Sequence, residues 1–201
     1  MSMLELRVDE FLDQLARGGR TPGAGSLAAI VTAASAALIA KVARTSSAEW
    51  KDARSVAAQA EALRDRVAPL AQIDADEYEE AMRLLEEPAG EGASRDAALG
   101  RAVSRAAVPP LQIAETAVDV ALLGVVVCEH GDVSLRTDAA SACALAAAAA
   151  RASAELVAIN LTAQPGDPRV EQARRLADDA ARAADQAFAV GGQFQGARSE
   201  A

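Results

Sequence analysis

The residues best suited by type and spacing to chemistry are Thr21-Pro22-Gly23-Ala24-Gly25-Ser26, a turn that feeds an apolar helix, Leu27 to Val42. Two glycines let the backbone take positive φ and come close to a ligand. The unpaired N–H groups of the helix's first turn point into that space, where a carboxylate or polarised carbonyl oxygen is stabilised. Ser26 alone would cap an ordinary helix start. Two glycines and a proline ahead of it point to something seated against the backbone, and a tight helix–helix connection is the alternative that spacing leaves open. Cys128 and Cys143 have no metal-ligand spacing and no histidine partners, so they read as free thiols and no metal is expected. His130, the one histidine, has a pKa range suited to proton transfer, but it sits in the polar turn Glu129-His130-Gly131-Asp132, where surface residence is the simpler reading.

The elements that must position these groups all read as helices. An amphipathic helix from about Leu4 to Ala16 places Leu4, Val8, Phe11, Leu12 and Leu15 on one face, and Gly18-Gly19 closes it. The second helix runs from the glycine turn to about Arg44, with Ala29, Ala33, Ala36, Ala37 and Ala40 as a stripe for close packing. A long third segment reaches about Leu85, with Pro69 as a kink or break. After the acidic loop Pro88–Gly92, a fourth helix begins near Ser94, and Pro109-Pro110 either breaks it or starts the next, which continues to about Cys128. A sixth helix spans about Thr137 or Asp138 to Leu161, roughly 36 Å at 1.5 Å per residue. Asp167 and Pro168 open the last helix, which runs to about Val190, and 191–196 reads as a frayed tail.

Apolar residues make up 51% of the 201 and aromatics 2%, so alanine, about a quarter of the chain, must build the core. Alanine is the best helix former, and no strand-like period competes with it. The expectation is a single-domain, all-α bundle of six to seven helices. A buried methyl gives less than the roughly 1.5–3 kcal/mol of a Leu or Phe, so a broad self-association surface and a two-fold dimer are expected. The net charge of −9 argues against nucleic acid and anionic membranes as partners. Residues 25–43 are long enough to span a bilayer, but their alanines and threonines and Lys41 favour a buried core helix. The N-terminus lacks the basic and apolar regions of a signal peptide, which makes the cytoplasm the expected address.

Along nearly its whole length the chain resembles the cyclodeaminase/cyclohydrolase family, the dimeric helical fold of the C-terminal half of formiminotransferase–cyclodeaminase and of stand-alone methenyltetrahydrofolate cyclohydrolases. The resemblance rests on Phe11 to Ala16, on the turn Thr21–Ser26, similar to a Thr-Pro-Gly-Gly-Gly-Ser motif, and on Asp76-Glu77-Tyr78. Pro110-Leu111, Thr137-Asp138, similar to a Ser-Asp pair at a helix start, and Ile159-Asn160-Leu161 complete it. It implies a small tetrahydrofolate substrate carrying a one-carbon unit and no metal or redox cofactor. Water would add to 5,10-methenyltetrahydrofolate, or ammonia would leave 5-formiminotetrahydrofolate, through a tetrahedral carbon. A carboxylate can carry the protons, and burial among alanines would raise its pKa toward neutrality.

Under that resemblance Asp138 and Asp76 are the candidate proton carriers, and Thr21, Pro22, Gly23, Gly25, Ser26, Tyr78, Thr137 and Asn160 the candidate substrate-binding residues. Simpler duties compete: Asp138 as a helix cap, Asp76 and Glu77 as a wet helix face, Tyr78 as packing, and Asn160 as a helix end. The chain departs from the family pattern at Ala24, Asp132, Thr137, Leu156 and Glu86. Hydrolysis of the methenyl compound is the first expectation, since the length leaves no room for a transferase partner domain. The deaminase reaction and a non-catalytic binder of small acids are the alternatives.

Overall fold

The computed structural model describes residues 2–48, 50–86, 93–162 and 164–198, with the side chains of residues 93–95 and 191–198 left aside. Among them every regular element is helical: α1 (Val8–Ala16), α2 (Ala24–Thr45), α3 (Ala53–Val67), α4 (Leu70–Glu86), α5 (Ala93–Ala106), α6 (Val108–His130), α7 (Arg136–Asn160) and α8 (Pro168–Arg198), with 3-10 turns at Met3–Glu5, Ser46–Ala48 and Val133–Leu135. The all-α expectation holds. The helix number is higher than expected because Pro69, which has no N–H to continue a ladder, ends α3 and begins α4 rather than kinking one helix.

Other punctuation follows the same local chemistry. Pro109 and Pro110 fall in the first turn of α6, where a missing N–H leaves no bond unmade. Asp167 Oδ1 accepts the Arg169 N–H at 3.0 Å and caps α8. That helix continues to Arg198, past Val190 and the glycine pair. The acidic loop at 88–92 lies outside the described residues.

α2, α6 and α7 form the centre, with α3 against α2 and α8 across α6 and α7. Ala36, Ile39, Ala40, Ala117, Val120, Ala121, Ala139, Ala142 and Ala146 make the middle of the core. Small side chains let the axes approach, and Gly124 marks the tightest point: a Cβ there would overlap Cys143 Sγ and reach Ile39 Cδ1 at 3.0 Å. Cys128 and Cys143 are fully buried free thiols. Three stretches, Ala24–Ala48, Asp96–His130 and Val133–Asn160, are long and apolar enough to cross a membrane. The bundle buries 61% of the apolar window of the first two and 44% of that of the third, so α7 keeps much of its apolar surface outside.

Candidate functional site

α2 starts earlier than its sequence indicates, at Ala24, so Gly25 and Ser26 belong to its first turn and Gly23 is the capping residue, with no side-chain bond. Gly23 is extended (φ −123°), and among the described residues Gly166 alone has positive φ. The glycines therefore do not serve a left-handed turn. Gly25 is needed because α4 crosses directly over it: a Cβ at that position would overlap the Asp74 carboxylate.

Asp74 is the group that sequence reasoning missed. It sits on the inner side of α4, in a row with Leu70, Ala71, Ala75 and Ala81, all buried. Its carboxylate lies against Gly25 in the first turn of α2, so a side chain of α4 fills space that was expected to meet a ligand. Burial pushes its pKa up from 3.8 to about 6, and the Ser26 N–H opposes that rise by favouring the anion. The Ser26 hydroxyl, fully buried, donates at 2.8 Å to the Ala71 carbonyl and joins the two helices. A signal was present in the sequence: an acid recurring at the helical period of buried alanines and leucines on α4.

The rest of the turn lies along α4. Thr21 Oγ1 donates to Glu79 Oε1 at 3.0 Å, and Arg20 pairs with Glu86, its charge also facing Glu79 and Tyr78. The Thr21–Pro22 peptide is cis. Tyr78 follows Asp74 by one helical turn, on the same side of α4, and is 36% exposed. Of the turn's residues, Gly25 and Ser26 lie against Asp74, while Thr21 reaches α4 at Glu79.

The remaining candidates are elsewhere. Asp76 is two residues from Asp74, about 200° around the helix, and exposed, accepting from Gln72 Nε2 at 2.9 Å. Gln72 Oε1 in turn accepts the Met3 N–H at 3.2 Å, so this acid belongs to the N-terminal strap. Asp138 is the third residue of α7 rather than its cap, and it accepts from Lys41 Nζ at 2.9 Å on an exposed edge. Lys41 is 16 residues along α2 from Gly25, about 24 Å, so within one chain Asp138 and the exposed Thr137 do not share the space around the glycine turn. Asn160 Nδ2 donates at 2.8 Å to the Ala106 carbonyl and ties the end of α7 to the end of α5. His130 is exposed and packs on Trp50, ring centroids 5.8 Å apart. Among the described residues no group of three or more His, Cys, Asp or Glu side chains is placed to hold a metal.

Chemically, α4 lays one half-buried carboxyl, Asp74, against the turn, and burial raises its pKa toward neutrality. The sequence matches the family model described as formiminotransferase-cyclodeaminase over residues 7–179, and the chain belongs to that family. Among solved structures it is similar to the crystal structure of formiminotetrahydrofolate cyclodeaminase from Thermotoga maritima, with a TM-score of 0.78 and 20% sequence identity. That likeness covers 94% of this chain and 96% of the other and establishes a common fold. No curated protein sequence matches the chain.

Proposed function

We propose that this protein is a folate one-carbon enzyme that hydrolyses 5,10-methenyltetrahydrofolate to 10-formyltetrahydrofolate, with Asp74 as the proton carrier. The observation that supports it most is the half-buried Asp74 carboxyl, with a pKa near 6, laid across Gly25 at the opening of α2. An ionised Asp74 takes a proton from water as the oxygen bonds to the bridging amidinium carbon. The carboxyl then returns that proton to the tetrahydropterin nitrogen, the carbon–nitrogen bond breaks, and the hydroxyl proton leaves to solvent as the formyl group forms. A pKa near the working pH keeps both protonation states populated, which is what a shuttle needs. The deaminase reaction uses the same shuttle in the other sense, with the proton given to departing ammonia.

One assay separates these readings. The methenyl compound absorbs in the near ultraviolet, so hydrolysis lowers that absorbance while deamination of 5-formiminotetrahydrofolate raises it. Rates equal to buffer with both substrates would defeat the enzymatic reading, and a ligand-induced rise in melting temperature without turnover would identify a binder.

The working unit in this reading is a two-fold dimer. α2 presents Ala24, Leu27, Val31, Ala34, Leu38 and Lys41 at alternating spacings of three and four, exposed or half-buried, and α7 beside it presents Ser141, Leu145, Ala148 and Ala152 in the same way. The glycine turn lies at one end of the α2 face and the Lys41–Asp138 pair at the other. A two-fold axis near Ala34 would carry Asp138 and Thr137 of one copy toward the turn of its partner, joining residues that a single chain keeps apart.

A further inference from the structure

We infer that Ser26 is a positioning residue, whose side-chain hydroxyl fixes α4 in the register that lays Asp74 across Gly25. The inference rests on the proposed role of Asp74. α2 carries three buried hydroxyls, and two of them bond back to their own helix: Thr32 Oγ1 to the Ala28 carbonyl and Ser35 Oγ to the Val31 carbonyl, both at 2.8 Å. Ser26 differs. Its Oγ leaves the helix and donates at 2.8 Å to the carbonyl of Ala71, 45 residues away.

The hydroxyl holds Ala71, three residues before Asp74, and the Ser26 N–H favours the ionised carboxylate. Gly25 sets how closely the helices approach, since any side chain there would overlap Asp74, but a bare glycine surface does not choose among positions along α4. A directional bond in a fully buried place does. The carbonyl of Ala71 retains its α-helical acceptor role without Ser26, so removing the hydroxyl orphans no buried group and the fold should survive the change.

Burial and the Ser26 amide are the two causes that set the titration of Asp74. Charged groups on the elements packed against α4 stand in pairs, Arg20 with Glu86, Arg105 of α5 with Glu77, and Arg66 of α3 with Asp119 of α6, and they do not enter it. Burial is the larger cause, so freeing the turn and admitting water should bring the carboxyl down toward the ordinary aspartate range.

The test is Ser26→Ala beside Thr32→Ala, read without substrate by carbon-13 NMR titration of the Asp74 carboxyl, assigned with Asp74→Asn. The expected result is a fall by roughly one pKa unit in Ser26→Ala and no movement in Thr32→Ala. With 5,10-methenyltetrahydrofolate, Ser26→Ala should lower kcat by about tenfold, shift the acid limb of its pH profile by the same amount, and leave KM within about twofold. Ser26→Thr, which keeps the hydroxyl, should recover the wild-type titration. An unmoved carboxyl in a folded Ser26→Ala protein would overturn the positioning role. Because the titration needs no turnover, that outcome is distinct from failure of the enzymatic reading, which the absorbance assay tests by itself.

Discussion

Asp74 should lower the stability of the protein at neutral pH, and the direction follows from its raised pKa. Its pKa is about 6 in the folded chain and 3.8 in an ordinary setting. The folded state therefore holds the proton more tightly, and the associated stability is fully present below about pH 4 and is lost as the pH rises through 6. The difference corresponds to about 3 kcal/mol. Asp74→Asn should therefore be more stable than wild type at pH 7, by on the order of 1–3 kcal/mol in urea unfolding, and the advantage should vanish near pH 4. The same variant should lose about 10²- to 10⁴-fold in kcat, as expected when a proton carrier is removed. Asp76→Asn, on the wet face with Gln72, should change turnover by less than about twofold. The acid limb of kcat in the wild-type enzyme should report a group near pH 6.

At the scale of elements, the contact between α2 and α4 depends on an absent side chain. Gly25→Ala must either push Asp74 aside or spread the helices, and a loss of about 1–3 kcal/mol is expected from that overpacking. If the carboxylate is what the new methyl meets, shortening it relieves the clash: Gly25→Ala combined with Asp74→Ala should recover most of the loss, seen as a coupling energy above about 0.5 kcal/mol in a double-mutant cycle. Additive losses would place the strain in the backbone instead. The elements themselves were legible. Pro69, Pro109, Pro110 and the Asp167-Pro168 pair mark helix boundaries because a missing N–H or a capping oxygen acts within a few residues. The start of α2 was misplaced by three residues because its capping residue, Gly23, carries no side chain to announce a helix start.

For the whole molecule, the exposed faces of α2 and α7 and the division of the candidate residues between the two ends of α2 lead to the same expectation. Ala34→Arg, at the centre of the α2 face, should convert a dimer to a monomer in light scattering and remove activity while leaving the helical circular dichroism unchanged. Should Asp138 act on the partner's site, equal amounts of inactive Asp74→Asn and Asp138→Asn proteins, mixed and reassociated, should regain about a quarter of wild-type activity, because half the dimers then hold one intact site of two. No recovery would confine the site to one chain and leave Lys41–Asp138 as a surface pair.

By itself the sequence determined the helical class, most helix boundaries and the alanine core. Each of these rests on propensity, period or punctuation, which operate over a few neighbouring residues. Tertiary structure alone decided which acid is buried. Asp74 and Asp76 are chemically identical and two positions apart, and only the crossing of α4 over α2 buries the first, aims a backbone amide at it and leaves the second in water. Desolvation is a property of what surrounds a group, and for Asp74 those surroundings come from a helix that begins fifty residues earlier in the chain.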